Sequence, residues 1–283
     1  MLALIISACT PKETVQPTGQ GKPARIAVVL GAGASRGFAH IGVLKVLEAN
    51  KIPVHMVVGT SAGSFVGSLY SYGFNAFQLQ KIALSIEKGD IVDLTIPDNG
   101  FIKGDKLEEY VNSSIKNTPI EKLRLPFYAV ATVLPTGQEV VFGKGNTGTA
   151  VRASCSIPGV FRPAHIADKL YVDGGVVSPV AVDAAKRYGA DIVIAVDISA
   201  DLDVKQPEST IDTILQSINI MYAKLATTQI ARADVVIRPK VGHIGSADLE
   251  KRHEAILEGE KAAYEAMPKI KEIIDRLGRE GRL

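Results

Sequence analysis

Apolar positions in this chain fall into two kinds of block. Short unbroken runs of strand length occur at Arg25-Ile26-Ala27-Val28-Val29-Leu30, Pro53 to Val58, Phe127 to Val133 and Asp191 to Ile198. Runs of this type read as strands buried on both faces. Between them apolar residues recur at helical spacing. Ile41, Leu44 and Leu47 share a face of a helix from Phe38 to Asn50, and Ile211, Ile214, Ile218, Met221 and Leu225 do so from about Ser209 to Ala231. Further helices are predicted over Ser64–Tyr70, Phe74–Lys88, Lys106–Ile115, Thr149–Cys155 and Pro179–Tyr188, and a tail helix over Leu249–Leu277 with a break at Pro268. Gln138 to Phe142 is predicted to pair with the third strand across Pro135-Thr136-Gly137. Lys169–Val172 and Asp234–Arg238 are short strands. Strands alternating with helices imply a three-layer α/β/α fold with a mainly parallel central sheet. The first strand-helix-strand unit, with the usual right-handed crossover, sets its two strands parallel.

No repeat appears, and no linker interrupts residues 25–283, which are expected to form one domain. Residues 1–24 stand apart. Met1 to Cys9 looks like the end of a secretory signal peptide, and Ile6-Ser7-Ala8-Cys9 resembles a bacterial lipobox, whose cysteine is lipidated. Thr10 to Pro23 then reads as a flexible tether. The segment lacks a basic leader and is short, so the expectation is a start codon further upstream and a protein anchored in the bacterial cell envelope.

Composition removes several classes of function. The 283 residues are 46% hydrophobic and 22% charged, as in ordinary globular domains. Lys plus Arg is 32 against 30 for Asp plus Glu, with no basic block, so nucleic acid is not expected as a main partner. Two cysteines, Cys9 and Cys155, cannot build a disulfide framework, and no Cys/His cluster has metal-ligand spacing.

Two turns carry candidate chemistry. The second strand runs into Gly59-Thr60-Ser61-Ala62-Gly63, a Gly-x-Ser-x-Gly in the strand-turn-helix context of a nucleophile elbow. Gly59 and Gly63 remove side chains from a crowded turn, and Ser61 is placed at a helix N-terminus that favours developing negative charge. The first strand runs into Gly31-Ala32-Gly33-Ala34-Ser35-Arg36-Gly37. Backbone amides of such a turn form an anion nest, either for a phosphate or for the oxyanion of acyl transfer. A dinucleotide site would want an acidic residue or arginine at the end of the second strand. A serine stands there instead, which favours the oxyanion reading.

A serine hydroxyl needs a base. His40, His55, His165, His243 and His253 each read as structural or surface residues, none following a strand in a glycine-rich turn. Asp173 closes a short apolar strand and precedes Gly174-Gly175, so its carboxylate can emerge at a sheet edge, or cap its own turn. A Ser61–Asp173–His triad using His243 or His253 stays open as a second enzyme reading, and a nucleotide-binding or scaffold lipoprotein as a third.

In family order, the glycine-rich turn with Arg36-Gly37, the Gly-Thr-Ser-Ala-Gly elbow and the Asp-Gly-Gly segment resemble the patatin-like phospholipases. Gly37 to Leu44 and Arg152 to Phe161 are similar to the bacterial branch. The resemblance covers nearly all of residues 25–268. It implies a Ser–Asp dyad, Ser61 and Asp173, acting on phospholipid or lysophospholipid esters at a membrane surface, with no histidine, metal or other cofactor. It also implies an oxyanion hole at Ala32, Gly33 and Ala34, where the family usually carries more glycines. Arg36 is left with two equal roles, contact to a lipid phosphate or an ion pair that holds the turn. Arg152 and Cys155 are expected in the structural wall of the site. A valine at Gly33 is expected to stop turnover, and to spare stability if the turn is exposed.

Overall fold

The structure, a computed structural model, describes residues 21–96, 99–199 and 206–283. Cys9 and nearly all of the expected tether lie outside them. Eight strands share one sheet: β1 (Ile26–Leu30), β2 (Met56–Thr60), β3 (Phe127–Val133), β4 (Glu139–Phe142), β5 (Ala164–Ile166), β6 (Lys169–Asp173), β7 (Ile192–Val196) and β8 (Val235–Ile237). Their order is β5-β6-β3-β2-β1-β7-β8, with β4 also on β3. From β3 through β2, β1 and β7 to β8 every pairing is parallel, whereas β4, β5 and β6 add an antiparallel flank.

The helices are α1 (Phe38–Ala49), α2 (Ala62–Tyr72), α3 (Ala76–Ser85), α4 (Lys88–Ile91), α5 (Asp105–Ser114), α6 (Thr147–Ser154), α7 (Val182–Arg187), α8 (Thr210–Ile230) and α9 (Arg252–Arg279). The alternating faces of β1 show why the strands read as unbroken apolar runs. Ile26, Val28 and Leu30 pack with α1, α2 and α9, and Ala27 and Val29 pack with α7 and α8. Helices therefore cover both faces of an α/β sheet in three layers. No helix among the described residues is long and apolar enough to cross a membrane.

Three differences from the sequence reading have physical causes. The tail helix does not break at Pro268 but continues to Arg279. Met267, Ile270, Ile273 and Leu277 are buried on both sides of the proline, and that burial outweighs a penalty of about 3 kcal/mol for a proline inside a helix. β5 has no periodicity to reveal it: three residues long, it is fixed by pairing with β6 across a tight turn in which Ala167 takes φ 54°. The helix expected from Pro179 starts only at Val182. Pro179 instead offers its carbonyl to the Ala32 amide, at 2.8 Å, and the Val180 amide donates to the Gln229 side chain, at 3.0 Å.

The glycine-rich turn is held from behind by a close helix crossing. A Cβ on Gly42 of α1 would lie 1.9 Å from the Ile256 carbonyl oxygen, and one on Gly259 of α9 would lie 2.0 Å from that of Ala39. Only glycine at both positions lets the two backbones approach so closely. The register of α1, and of the turn that leads into it, is set by that contact.

Candidate active site

β1 and β2 are parallel neighbours, so the turns that follow them meet at one carboxyl edge of the sheet, where open α/β sheets place their ligands. The contact is direct: a Cβ on Gly63 would lie 2.0 Å from the Leu30 carbonyl oxygen, and one on Gly37 would lie 2.5 Å from the Ala62 Cβ. Gly59 is similarly confined, its Cβ position lying 2.5 Å from the Gly63 carbonyl oxygen. The elbow itself is strained. Ser61 adopts φ 54°, ψ −125°, a conformation that costs a non-glycine residue on the order of 1–3 kcal/mol. Its side chain makes no capping bond to α2 although Ser61 is the N-cap, which leaves the hydroxyl free for another partner.

That partner is Asp173. The Ser61 Oγ donates to Asp173 Oδ2 at 2.5 Å, across 112 residues of sequence, a length typical of a hydroxyl donating to a carboxylate. β3 lies between the two strands that carry them and braces both. Val130 of β3 accepts from the Ser154 hydroxyl at 2.6 Å, and that hydroxyl accepts from the Ser61 amide at 2.9 Å. The Thr132 hydroxyl donates to the Asp173 carbonyl at 3.0 Å. Asp173 Oδ1 accepts from the Gly175 amide at 2.7 Å, so the carboxylate caps its own turn and accepts the serine hydrogen bond at the same time.

Ser61 is 3% exposed and Asp173 0%. Burial raises the Asp173 carboxyl to about 6, against the opposing effect of donors from Ser61, Gly175 and Tyr222. It is thus a stronger base than a free aspartate yet still mostly ionised at neutral pH. Cys155, at the end of α6, sits 3.7 Å by its sulfur from the Ser64 hydroxyl. Burial and the Asp173 charge push its thiol far up, so it stays neutral.

The glycine-rich turn divides its amides. Gly31 donates to the Val196 carbonyl at 3.0 Å and Ala32 to that of Pro179 at 2.8 Å. The expected use of Ala32 in an oxyanion hole is therefore corrected: its amide is already spent in the fold. Gly33 and Ala34 donate no hydrogen bond among the described residues. Ala34 takes φ 50°, which turns the chain tightly at this point. Arg36 fixes the intervening peptide from behind, because its amide and its Nε both donate to the Gly33 carbonyl, at 3.1 and 3.2 Å. The far end of the same guanidinium donates to Asn219 of α8 at 2.5 Å. The group is 4% exposed; burial lowers its pKa, and the nearby Asp197 carboxylate opposes that. Of the two roles left open for Arg36, these contacts describe the one that holds the turn, although the partners are a carbonyl and an amide rather than a bonded acid.

His40 backs the same turn. Its Nε2 meets the Gly31 carbonyl at 2.8 Å, and burial drives its pKa down to about 4, so a neutral ring donates to that carbonyl. His55 accepts from the Ile26 amide at 3.1 Å, and His243 pairs with Glu254 at 2.6 Å. No histidine hydrogen-bonds to Ser61 or Asp173 among the described residues. No group of three or more His, Cys, Asp and Glu residues there is placed to hold a metal ion. Ala32, Ile218 and Tyr222, with Ile157 and Ile214, form a small apolar cluster against the turn. Arg152 lies in the wall, its guanidinium on the Lys103 carbonyl at 2.8 Å and 3.3 Å from Asp105.

Residues 28–186 match the family model for patatin-like phospholipase. The chain is 33% identical over 184 residues to an uncharacterized NTE family protein of Mycobacterium tuberculosis, covering 64% of this chain and 51% of that protein. It is 35% identical over 185 residues to human patatin-like phospholipase domain-containing protein 6, covering 62% of this chain and 13% of that one. The lysophospholipase NTE1 of Pyricularia oryzae is 29% identical over 235 residues, 80% of this chain and 16% of its own. The chain thus spans about half the length of its mycobacterial relatives and far less of the others. Among solved structures, VipD from Legionella pneumophila superposes with a TM-score of 0.56 at 11% identity, over 89% of this chain and 67% of that one. The type III effector ExoU gives 0.51 at 12%, over 89% and 54%. At such identities these two bear on the fold alone.

Proposed function

The chain belongs to the patatin-like phospholipase family, and from that membership we propose that it is a serine lipid acyl hydrolase, cleaving phospholipid or lysophospholipid esters with a Ser61–Asp173 dyad. The observation that carries the proposal is the 2.5 Å hydrogen bond from the Ser61 hydroxyl to a buried carboxylate, with the Gly33 and Ala34 amides in the adjoining turn donating to no group among the described residues. Relatives named as phospholipases and lysophospholipases support the substrate class.

In this reading Asp173 accepts the Ser61 proton as Oγ attacks the ester carbonyl carbon. The amides of Gly33 and Ala34, held in place by Arg36, donate to the oxyanion, and groups of this kind contribute about 3–4 kcal/mol each in acyl transfer. As the intermediate collapses, the proton passes from Asp173 to the departing alcohol, leaving the acyl group on Ser61. Water gives a proton to Asp173 and attacks the acyl carbon; the fatty acid leaves and Ser61 regains its proton. The protein should release fatty acid from a panel of phospholipids and lysophospholipids and react with a fluorophosphonate at Ser61. The Ser61→Ala variant should do neither. A labelled or hydrolytically active Ser61→Ala protein would overturn the assignment.

We also propose that Cys9 carries the lipid anchor of an envelope lipoprotein, with the tether holding the catalytic domain (residues 25–283) near its substrate. One acyl chain binds a membrane only marginally, so stable anchoring calls for the several chains of a bacterial lipoprotein. Mass spectrometry of the N-terminal peptide from the native host should find a lipidated Cys9. A free thiol there, or a protein recovered wholly from the cytosol, counts against anchoring.

A further inference from the structure

Tyr222 of α8 has entered so far only as a member of the apolar cluster and a neighbour of Asp173. It is 4% exposed, and its hydroxyl oxygen is buried with no hydrogen-bond partner within ordinary limits among the described residues. A buried hydroxyl left in that state is destabilising, and phenylalanine would fill the same apolar cluster without that penalty. The ring lies over the Asp-Gly-Gly turn: a Cβ on Gly175 would stand 2.3 Å from the Tyr222 Cζ and 2.7 Å from its hydroxyl oxygen. The second glycine of that motif is therefore needed to let the phenol close over the turn whose amide already caps Asp173.

We propose that Tyr222 is a positioning residue for the general base, its hydroxyl donating to the Asp173 carboxylate and holding it ionised for reaction with Ser61. The proposal rests on the dyad reading. An ionised carboxylate offers about four acceptor positions, and Ser61 and Gly175 fill two of them. The phenol approaches closely enough to favour the charged form of Asp173, and the same carboxylate, after burial, holds the phenol well above its ordinary value. Tyr222 is thus a permanent donor and never a competing base. The other groups facing Asp173 are the Ser61 hydroxyl, the Gly175 amide and the neutral Cys155 thiol; no cationic side chain among the described residues acts on it. Without the phenol, burial would act less opposed and the carboxylate would ionise at higher pH.

The test is the pH profile of kcat/KM for Tyr222→Phe, measured beside Asp173→Asn. Loss of one donor to a charged group should move the acid limb up by roughly half to one pH unit. Activity near pH 6 then falls by about 2- to 6-fold, while the plateau above pH 8 is kept or exceeded, because the unassisted carboxylate is the stronger base. A carboxyl 13C titration of Asp173 should show the same displacement without relying on turnover. An unmoved acid limb, or a uniform loss at every pH, with Asp173→Asn inactive, would overturn the role of Tyr222 and leave the dyad standing. An active Asp173→Asn protein would remove the dyad beneath it. Tyr222→Phe keeps the ring and its packing and removes only the hydroxyl, so it should fold; if it does not, the 13C titration of Tyr222→Leu decides on the same displacement.

Discussion

Asp173→Asn should nearly abolish turnover and at the same time stabilise the fold above about pH 6. The first effect follows from removing the base: asparagine keeps the shape and can still accept from the Gly175 amide, but it cannot take the Ser61 proton. A loss of about 10²–10⁴-fold in kcat is expected for a positioned general base. Because the two residues act as a unit, the Ser61→Ala/Asp173→Asn double variant should be little worse than either single one. The second effect is a matter of sign. The folded-state carboxyl sits at about 6 against an ordinary 3.8, so between those values the folded protein binds the extra proton and stability falls as pH rises. At neutral pH a buried carboxylate so held costs the folded state about 3 kcal/mol. Asparagine carries no such cost. Urea unfolding at pH 8 should therefore show the variant more stable than wild type by about 1–3 kcal/mol, and the difference should vanish near pH 4. Substitution of His243 or His253, the histidines a triad would use, should leave most turnover intact. An active Asp173→Asn enzyme beside an inactive histidine variant would mean a triad.

What the sequence reveals here is what short-range pattern can encode. β1, β2, β3 and β7 are apolar on both faces and stand out as unbroken runs. Ser61 announces itself by its flanking glycines, and Asp173 by a strand end followed by two more. The remainder is set by contacts distant along the chain. Gly42 and Gly259 are ordinary helix glycines in the sequence, and only the α1–α9 crossing gives them a task. Ser154 is one small polar residue among several in Arg152-Ala-Ser-Cys-Ser, and its bridge between the elbow and β3 is invisible until those elements are assembled. Ala32 was grouped with its neighbours because a nest is read from spacing, whereas which amides are free depends on where Pro179 falls. Tyr222 had a signal: it is a phenol within the apolar face marked by Ile214 and Ile218. Nothing local ties it to Asp173.

Gly33→Val should also stop the reaction, and the structure changes what else it should do. Gly33 is buried, and a Cβ there would lie 2.7 Å from Ile198 Cδ1 and 2.8 Å from its Cγ1. Ile198 is itself fully buried, so the side chain cannot simply move aside and the turn must shift. The peptide between Gly33 and Ala34 would then rotate out of the bonds that its carbonyl receives from Arg36, carrying the Ala34 amide away from the oxyanion. Loss of one such donor lowers kcat by about 10²–10³-fold. Overpacking of this kind also costs about 1–3 kcal/mol of stability, contrary to the expectation for an exposed turn. Turnover has therefore to be measured on protein shown to be folded. The catalytic loss should persist under conditions where urea unfolding finds wild type and variant both fully native, and the defect should lie in kcat more than in KM. A folded Gly33→Val enzyme with wild-type kcat would place the oxyanion elsewhere, with the Ala62 and Gly63 amides at the start of α2, which donate no hydrogen bond among the described residues, as the next donors to test.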